Sequence, residues 1–384
     1  MKLTNTNKPQ QNPNAKPQSQ PLPAPAQSAA GPLADRIKVG VDVGLRKYAL
    51  CRQVDGSRQE PPQMKSPDAF KLWIVQQKTH SKEVVVCYEA GFLGFELARW
   101  LLAHGIKCLV MAPVKLDERN QRVETDKLNA QDIASRLDRY LAGNERAMTV
   151  CRIPTRQEEL DRHQTRQRQQ LLDHRKALEA QGRSLLWQFG HLEEGQGHWW
   201  GPVLWRGLEE RLEPTMIQRL QRLRAVILEL TQQMEELTGH LRQESARVLP
   251  KTLAKPPLGM GWLSLLILTH ECMDWHRFQN RRQVGCFAGL VPSEGSTGES
   301  TRQGPVTKVG NPVVRMVLVE MAWRLVRYQP QCHAVKPWLT LLREKKKSGS
   351  RVRKRAIVAV ARVLAVDLWR LATGQTTAAA LGFV

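Results

Sequence analysis

The sequence has no Cys-x-x-Cys pair. Its seven cysteines (51, 87, 108, 151, 272, 286 and 332) are scattered, so neither a zinc cluster nor a disulfide framework is expected, and most should be reduced and buried. It also lacks any apolar run of the about 20 residues that a membrane helix needs. The start has no apolar signal-peptide core, so a cytoplasmic protein is expected. Residues 1–34 are rich in Pro, Gln, Asn and Lys with almost no large apolar side chain. Such a segment cannot offset its ordering entropy and reads as a disordered basic tail. A Gly-x-Gly-x-x-Gly loop is missing too. Gly40 and Gly44 bracket Asp42, but no helix follows, which argues against a dinucleotide-binding fold.

Acidic residues are in short supply: 36 Asp plus Glu stand against 58 Lys plus Arg, a net charge of +22. An excess of this size favours phosphate polymers through counterion release. Against that background three acids stand out. Asp42 interrupts the apolar run Lys38-Val-Gly-Val-Asp-Val-Gly44, Glu89 ends Val84-Val-Val-Cys-Tyr-Glu89, and Asp126 precedes a helix-like stretch in Glu124-Thr-Asp-Lys-Leu-Asn-Ala130. Strand residues alternate faces, so an acid in a β-branched run points away from its neighbours. A carboxylate placed this way is paired, at a strand end, or holding a metal. On a basic chain, three of them point to a metal site in a nucleic-acid-binding protein.

With 384 residues and 41% hydrophobic content, two or three domains with real cores are possible. Residues 35–150 read as α/β. Strand-like runs at 37–43, 47–54, 83–88 and 106–111 alternate with helix-like stretches at 67–79 and 92–104, and a helix follows at 127–142. Two early strands joined by a short turn suit a ribonuclease-H-like sheet. Residues 151–250 are helical. Met216, Leu220, Leu223, Ile227, Leu230, Met234, Leu237 and Leu241 form an unbroken heptad seam, and Leu171, Leu178 and Leu185 supply a line for an antiparallel partner. A Trp-rich turn, His198-Trp-Trp-Gly-Pro202, lies between them. A hairpin within one chain and an oligomerisation arm explain the seam equally well. Residues 251–384 read as a smaller, mainly helical domain. Leu258-Gly-Met-Gly261 opens a helix, either as a plain turn or as a phosphate-facing one. A basic run from Arg343 to Arg355, with Lys345, Lys346, Lys347, Arg351, Arg353 and Lys354, leads into an apolar helix and is expected to contact phosphate.

Taken in order, Val-Asp-Val-Gly44, Tyr-Glu-Ala-Gly91, Thr-Asp-x-x-Asn-Ala130, Gly-Leu-Val-Pro292, Thr-Gly298 and Thr-Lys-x-Gly-Asn311 resemble the DEDD transposases of bacterial insertion sequences, the family numbered 110/1111. The resemblance covers residues 37–372. It implies an N-terminal RuvC-like domain with four acidic ligands for Mg²⁺ and a C-terminal transposase domain with a serine nucleophile. Carried over, the ligands are Asp42, Glu89, Asp126 and, at the fourth position, Asn129 where the family has Asp. An amide oxygen can still ligate a hard cation. Asp132 lies about 240° round the helix from Asp126 and is set aside. The family's serine precedes a glycine five residues after the Leu-x-Pro proline; here that position is Thr297, with Ser296 one earlier and Ser293 and Ser300 nearby.

The resemblance further implies that Lys308, Asn311 and Arg315 contact nucleic acid, that a structured non-coding guide RNA selects donor and target DNA, that the protein is a homodimer or tetramer, and that it is nucleoid-associated. Two other readings stay open: a Holliday-junction-type metal-dependent nuclease, in which water attacks, and a non-catalytic nucleic-acid-binding protein.

Overall fold

The computed structural model describes residues 33–113, 125–191, 197–249, 256–294, 303–343 and 349–383. The candidate positions Ser296, Thr297, Lys345, Lys346 and Lys347, and nearly all of the tail, lie outside these. The chain divides into two compact units, residues 1–153 and 154–384. The helical stretch 151–250 and the C-terminal segment therefore share one unit.

Among the described residues, the first unit is a six-stranded mixed sheet with three α-helices. β1 (Ala34–Val43), β2 (Tyr48–Val54) and β3 (Gln63–Lys65) form an antiparallel meander. After α1 (Pro67–Gln77), β4 (Ser81–Glu89) pairs in parallel with β1; after α2 (Glu96–Ala103), β5 (Lys107–Met111) pairs in parallel with β4. Helix α3 (Asp126–Leu141) and the short β6 (Val150–Cys151) complete the order β3-β2-β1-β4-β5-β6. β3 and β6 are too short to carry a readable alternation, which is why the sequence pattern shows only the other four.

Period-two alternation divides the central strands between two cores. Ile37, Val39 and Val41 of β1, with Val84, Val86 and Tyr88 of β4, pack with Phe70, Ile74 and Leu101 of α1 and α2. Val85 and Cys87 of β4 face the other way, toward Ile133 and Leu137 of α3. On β1 that second face carries Lys38, Gly40 and Asp42. Lys38 is buried and pairs with Asp138 of α3. Gly40 admits the helix: a Cβ there would lie 2.4 Å from the Ala134 nitrogen and 2.5 Å from the Ala130 carbonyl oxygen. Ala49, Cys51, Ala130 and Ala134 make up the rest of this thin layer. α3 therefore lies directly on β1, held at a distance set by small residues.

The second unit begins with a long hairpin, α4 (Arg156–Gln188), the short α5 (Pro202–Glu209) and α6 (Pro214–Val248). Thr155 and Glu158 cap α4 reciprocally. Along the α6 seam, Met216, Leu220, Ile227, Met234 and Leu241 are buried within this chain, whereas Leu223, Leu230 and Leu237 are only half-buried. The Leu220 line thus packs inside the hairpin; the other line is buried at Met216, packs on the same core at Leu223, and stays partly open at Leu230 and Leu237. At the turn, Trp199 is fully buried and its Nε1–H donates to the Glu179 carbonyl at 2.9 Å. Its ring occupies the space over Gly182, where a Cβ would meet it at 2.1 Å.

The remaining elements are α7 (Trp262–Cys272), α8 (Arg281–Ala288), the β7 (Pro292–Glu294) and β8 (Gln303–Val306) hairpin, α9 (Pro312–Tyr328), α10 (Leu339–Arg343) and α11 (Ser350–Ala372). Val317, Leu318, Met321 and Leu325 of α9 pack with Val360, Leu364 and Leu368 of α11 in one core. Arg166 of α4 grips the fully buried Glu271 of α7 through two hydrogen bonds of 2.7 and 2.9 Å, which ties the hairpin to this core. No described helix is long and apolar enough to cross a membrane. All seven cysteines are free; burial pushes the Cys87 thiol up to about 12, so it stays protonated and inert.

Candidate catalytic site and nucleic-acid interface

Asp42 and Glu89 are brought together by strand register. In the parallel pairing of β1 with β4, Val41 lies opposite Tyr88, so Asp42 and Glu89 are the next residues along two neighbouring strands. Both have the parity of the face that α3 covers. From that helix, the Asn129 Nδ2–H donates to Asp42 Oδ2 at 3.2 Å. Thr125 caps α3 by accepting from the Leu128 amide at 3.3 Å, which puts Asp126 in the first turn, where a negative charge suits the helix dipole. Asp126 is exposed.

A cavity of about 820 Å³ opens at this point, and Asp42, Glu89 and Asn129 all line it. Asp126 is not on its wall, but its charge reaches Asp42. Burial is the main cause that raises the Asp42 carboxyl above its ordinary range; Asn129 opposes the shift and Asp126 adds to it. The corner therefore carries carboxylate charge at a cost, which a cation would relieve.

Among the described residues, no group of three or more His, Cys, Asp or Glu is set to hold a metal ion. What stands there is a pair of carboxylates on adjacent strand ends, an amide, and a third carboxylate at the helix start. Donors that are all oxygen suit a hard cation such as Mg²⁺. Asn129 turns its NH₂ toward Asp42; a half-turn of the amide would present its oxygen instead. The donor chemistry fits Mg²⁺, while a closed ligand cage is not preformed.

The same cavity wall holds residues that motif reading passes over. Asp132 and Arg136 line it and pair with each other at 2.6 Å, and Lys71 joins from α1. Asn129, Asp132, Ile133 and Arg136 follow the spacing of one helix face. Measured from Asp126, Asp132 is on the wrong side; measured from Asn129, it is a neighbour. Leu45 and Phe92, 69% and 82% exposed, stand at the rim.

In the second unit, the Thr-Lys-x-Gly-Asn311 stretch works as a clasp between α8 and α9. Gly289 ends α8 in the left-handed conformation. Gly310, at φ 141°, comes so close that a Cβ would lie 2.6 Å from the backbone of Cys286, Phe287 and Gly289. Asn311 donates its backbone N–H to the Phe287 carbonyl at 2.7 Å, and its Oδ1 caps α9 by accepting from the Val313 and Val314 amides. Its Nδ2–H donates to Glu271 at 2.6 Å. The Asn311 side chain is thus taken up by structure. Arg315 donates to the Ala288 and Lys308 carbonyls at 3.3 and 3.1 Å, bracing the same loop. Lys308, Arg351, Lys354 and Arg355 are exposed, while Arg353 is half-buried over the Trp323 ring.

Residues 256–337 match the transposase family IS116/IS110/IS902. Over 312 residues the chain is 30% identical to the y4rJ protein of Sinorhizobium fredii, a transposase by name, spanning 74% of this chain and 76% of that one. The chain belongs to the IS116/IS110/IS902 transposase family. Shorter matches reach the transposase for insertion sequence element IS1111A of Coxiella burnetii (34% identity over 120 residues, 31% of this chain and 32% of that one). The transposase for insertion sequence element IS1533 of Leptospira borgpetersenii is 28% identical over 119 residues, 30% of this chain and 34% of that one. The segment matched by the transposase family takes in α7, α8 and α9, so the clasp around Gly310 and Asn311 lies inside it.

Proposed function

We propose that this transposase cuts and rejoins DNA at the ends of an insertion sequence by joining a DNA phosphate to a protein hydroxyl. In this reading residues 35–150 form a ribonuclease-H-like (RuvC-like) domain. The strand order supports it, with an antiparallel meander followed by two parallel strands. The single observation that carries the reading is the corner itself: Asp42 and Glu89 at adjacent strand ends, with Asn129 hydrogen-bonded across to Asp42. Asp42, Glu89, Asp126 and Asn129 would hold Mg²⁺, which when bound supplies charge neutralisation at a reacting phosphate. The hydroxyl of Ser296 or Thr297 would attack phosphorus, form a protein–DNA phosphoester and release the DNA oxygen.

Exposed cations at Lys308, Arg351, Lys354 and Arg355, with Lys345, Lys346 and Lys347 in the same basic run, would hold phosphates of DNA and of a structured guide RNA; Arg315 and Arg353 would support them. The half-open line Leu223, Leu230 and Leu237 would join subunits. A DNA substrate that traps the covalent adduct, followed by peptide mapping, tests the reading. The adduct should fall on Ser296 or Thr297 and vanish in Asp42→Asn. An adduct on another residue, or one that survives both Ser296→Ala and Thr297→Ala, would overturn it.

A further inference from the structure

The second unit holds a cavity of about 660 Å³ that the family motifs touch through Val291 of the Gly-Leu-Val-Pro292 stretch. Its walls come from the first turn of α8, one face of α11 and the segment after α9. Arg281, Arg282, Arg362 and Arg370 line it together with His333 and Asp367. Positions 362, 366 and 370 recur every four residues, so they form one stripe of α11.

Two features make this more than a basic surface. The first is a built anchor at its base. Asp367 is fully buried, and the His333 Nδ1–H donates to both its carboxylate oxygens at 3.0 and 2.9 Å. Burial pushes the Asp367 carboxyl up, and His333 and Arg370 partly hold it down. His333 is about half-exposed; with Nδ1 tied to Asp367, its Nε2 is the nitrogen available to a ligand.

The second feature is surplus charge. His333 is hydrogen-bonded to Asp367, and among the described residues none of the four arginines is in an ion pair. Like charges gathered in one concavity repel each other until an anion enters. Guanidinium forks match phosphate oxygens in pairs. Val291, which leads into β7, lines the same cavity.

We propose that this arginine-walled cavity binds a phosphodiester of the DNA substrate, with the His333–Asp367 pair at its base. Phosphate binding here requires neither the acidic corner nor a particular nucleophile, and rests on the proposed function only in that the substrate is DNA. The charged groups facing His333 are Asp367, Arg362 and Arg370 from α11, and Arg281 and Arg282 from α8.

The test uses the full-length protein, a fluorescent DNA duplex and a structured RNA, over a range of salt. Arg362→Ala/Arg370→Ala should weaken DNA binding and flatten the log affinity–log salt slope by about one to two, roughly one for each phosphate no longer neutralised. Arg281→Ala/Arg282→Ala, at exposed positions of α8, should do the same if the first pair disturbs folding. The control is Arg219→Ala/Arg222→Ala, which removes equal charge from the exposed face of α6. An unchanged slope in the folded pocket variants, an equal loss in the control, or a loss confined to RNA would each overturn the proposal.

Discussion

Replacing Gly40 by alanine should separate the two halves of the acidic corner. The Cβ that Ala introduces meets the Ala134 nitrogen at 2.4 Å, the Ala130 oxygen at 2.5 Å and the Ala134 Cα at 2.8 Å. All three are helix backbone atoms, so no side chain can rotate out of the way. Restoring an ordinary contact near 3.4 Å means lifting α3 off β1 by about 1 Å. Overpacking of this kind costs about 1–3 kcal/mol, and the Asn129–Asp42 hydrogen bond, already 3.2 Å long, would pass out of range. A misplacement of about 1 Å in a catalytic constellation costs on the order of 100-fold in rate. The assay pairs a urea melt with single-turnover strand cleavage at saturating DNA. Expected are a lower urea midpoint, a rate down by about two orders of magnitude, and DNA binding close to wild type. Wild-type midpoint and rate together would refute the idea that Gly40 sets the spacing of the site.

Four further outcomes follow from named contacts. Gly182→Ala puts a methyl 2.1 Å from the buried Trp199 ring and should destabilise the second unit by at least about 1–3 kcal/mol, read as a lower urea midpoint. Asp42→Asn should raise the melting temperature at pH 7 while abolishing cleavage. The Asp42 carboxyl is raised in the fold, so wild-type stability falls as pH climbs from the ordinary carboxylate value through the raised one; the gain from Asn should vanish near pH 3 and level off at high pH. Asn129→Asp replaces a donor to Asp42 by a second carboxylate, so it should melt lower in EDTA and recover more than wild type when Mg²⁺ is added. Leu230→Lys with Leu237→Lys should reduce the oligomer mass in light scattering without unfolding the hairpin, because the buried line Leu220, Ile227, Met234 and Leu241 is left untouched.

The strands that carry the acids were legible because β1 and β4 are long and buried on both faces, so their apolar runs are nearly continuous. That Asp42 and Glu89 share one face follows only from the β1–β4 register. The heptad in α6 was equally plain, but a heptad does not say which chain supplies its partner; the hairpin takes the Leu220 line and leaves the Leu223 line half-open. Contacts set by the absence of a side chain were not legible. Gly40 reads as a weak residue in a strand until α3 is placed on it, and Gly182 as a poor helix former until Trp199 is. Asn311 has the composition of a binding residue, and only the Glu271 carboxylate and the α9 amides give it a structural role. The arginine cavity draws on α8, α11 and the segment between α9 and α10, positions too far apart in sequence to form a motif.

The measurement that tests the central claim most directly is covalent capture of DNA by the full-length protein, with Mg²⁺ or with EDTA, for wild type, Asp42→Asn and Glu89→Gln. The acidic corner predicts a protein–DNA adduct in wild type with Mg²⁺, none in EDTA, and none in either variant, although both variants fold and bind DNA. An adduct of equal yield in EDTA, or in Glu89→Gln with Mg²⁺, would contradict the account.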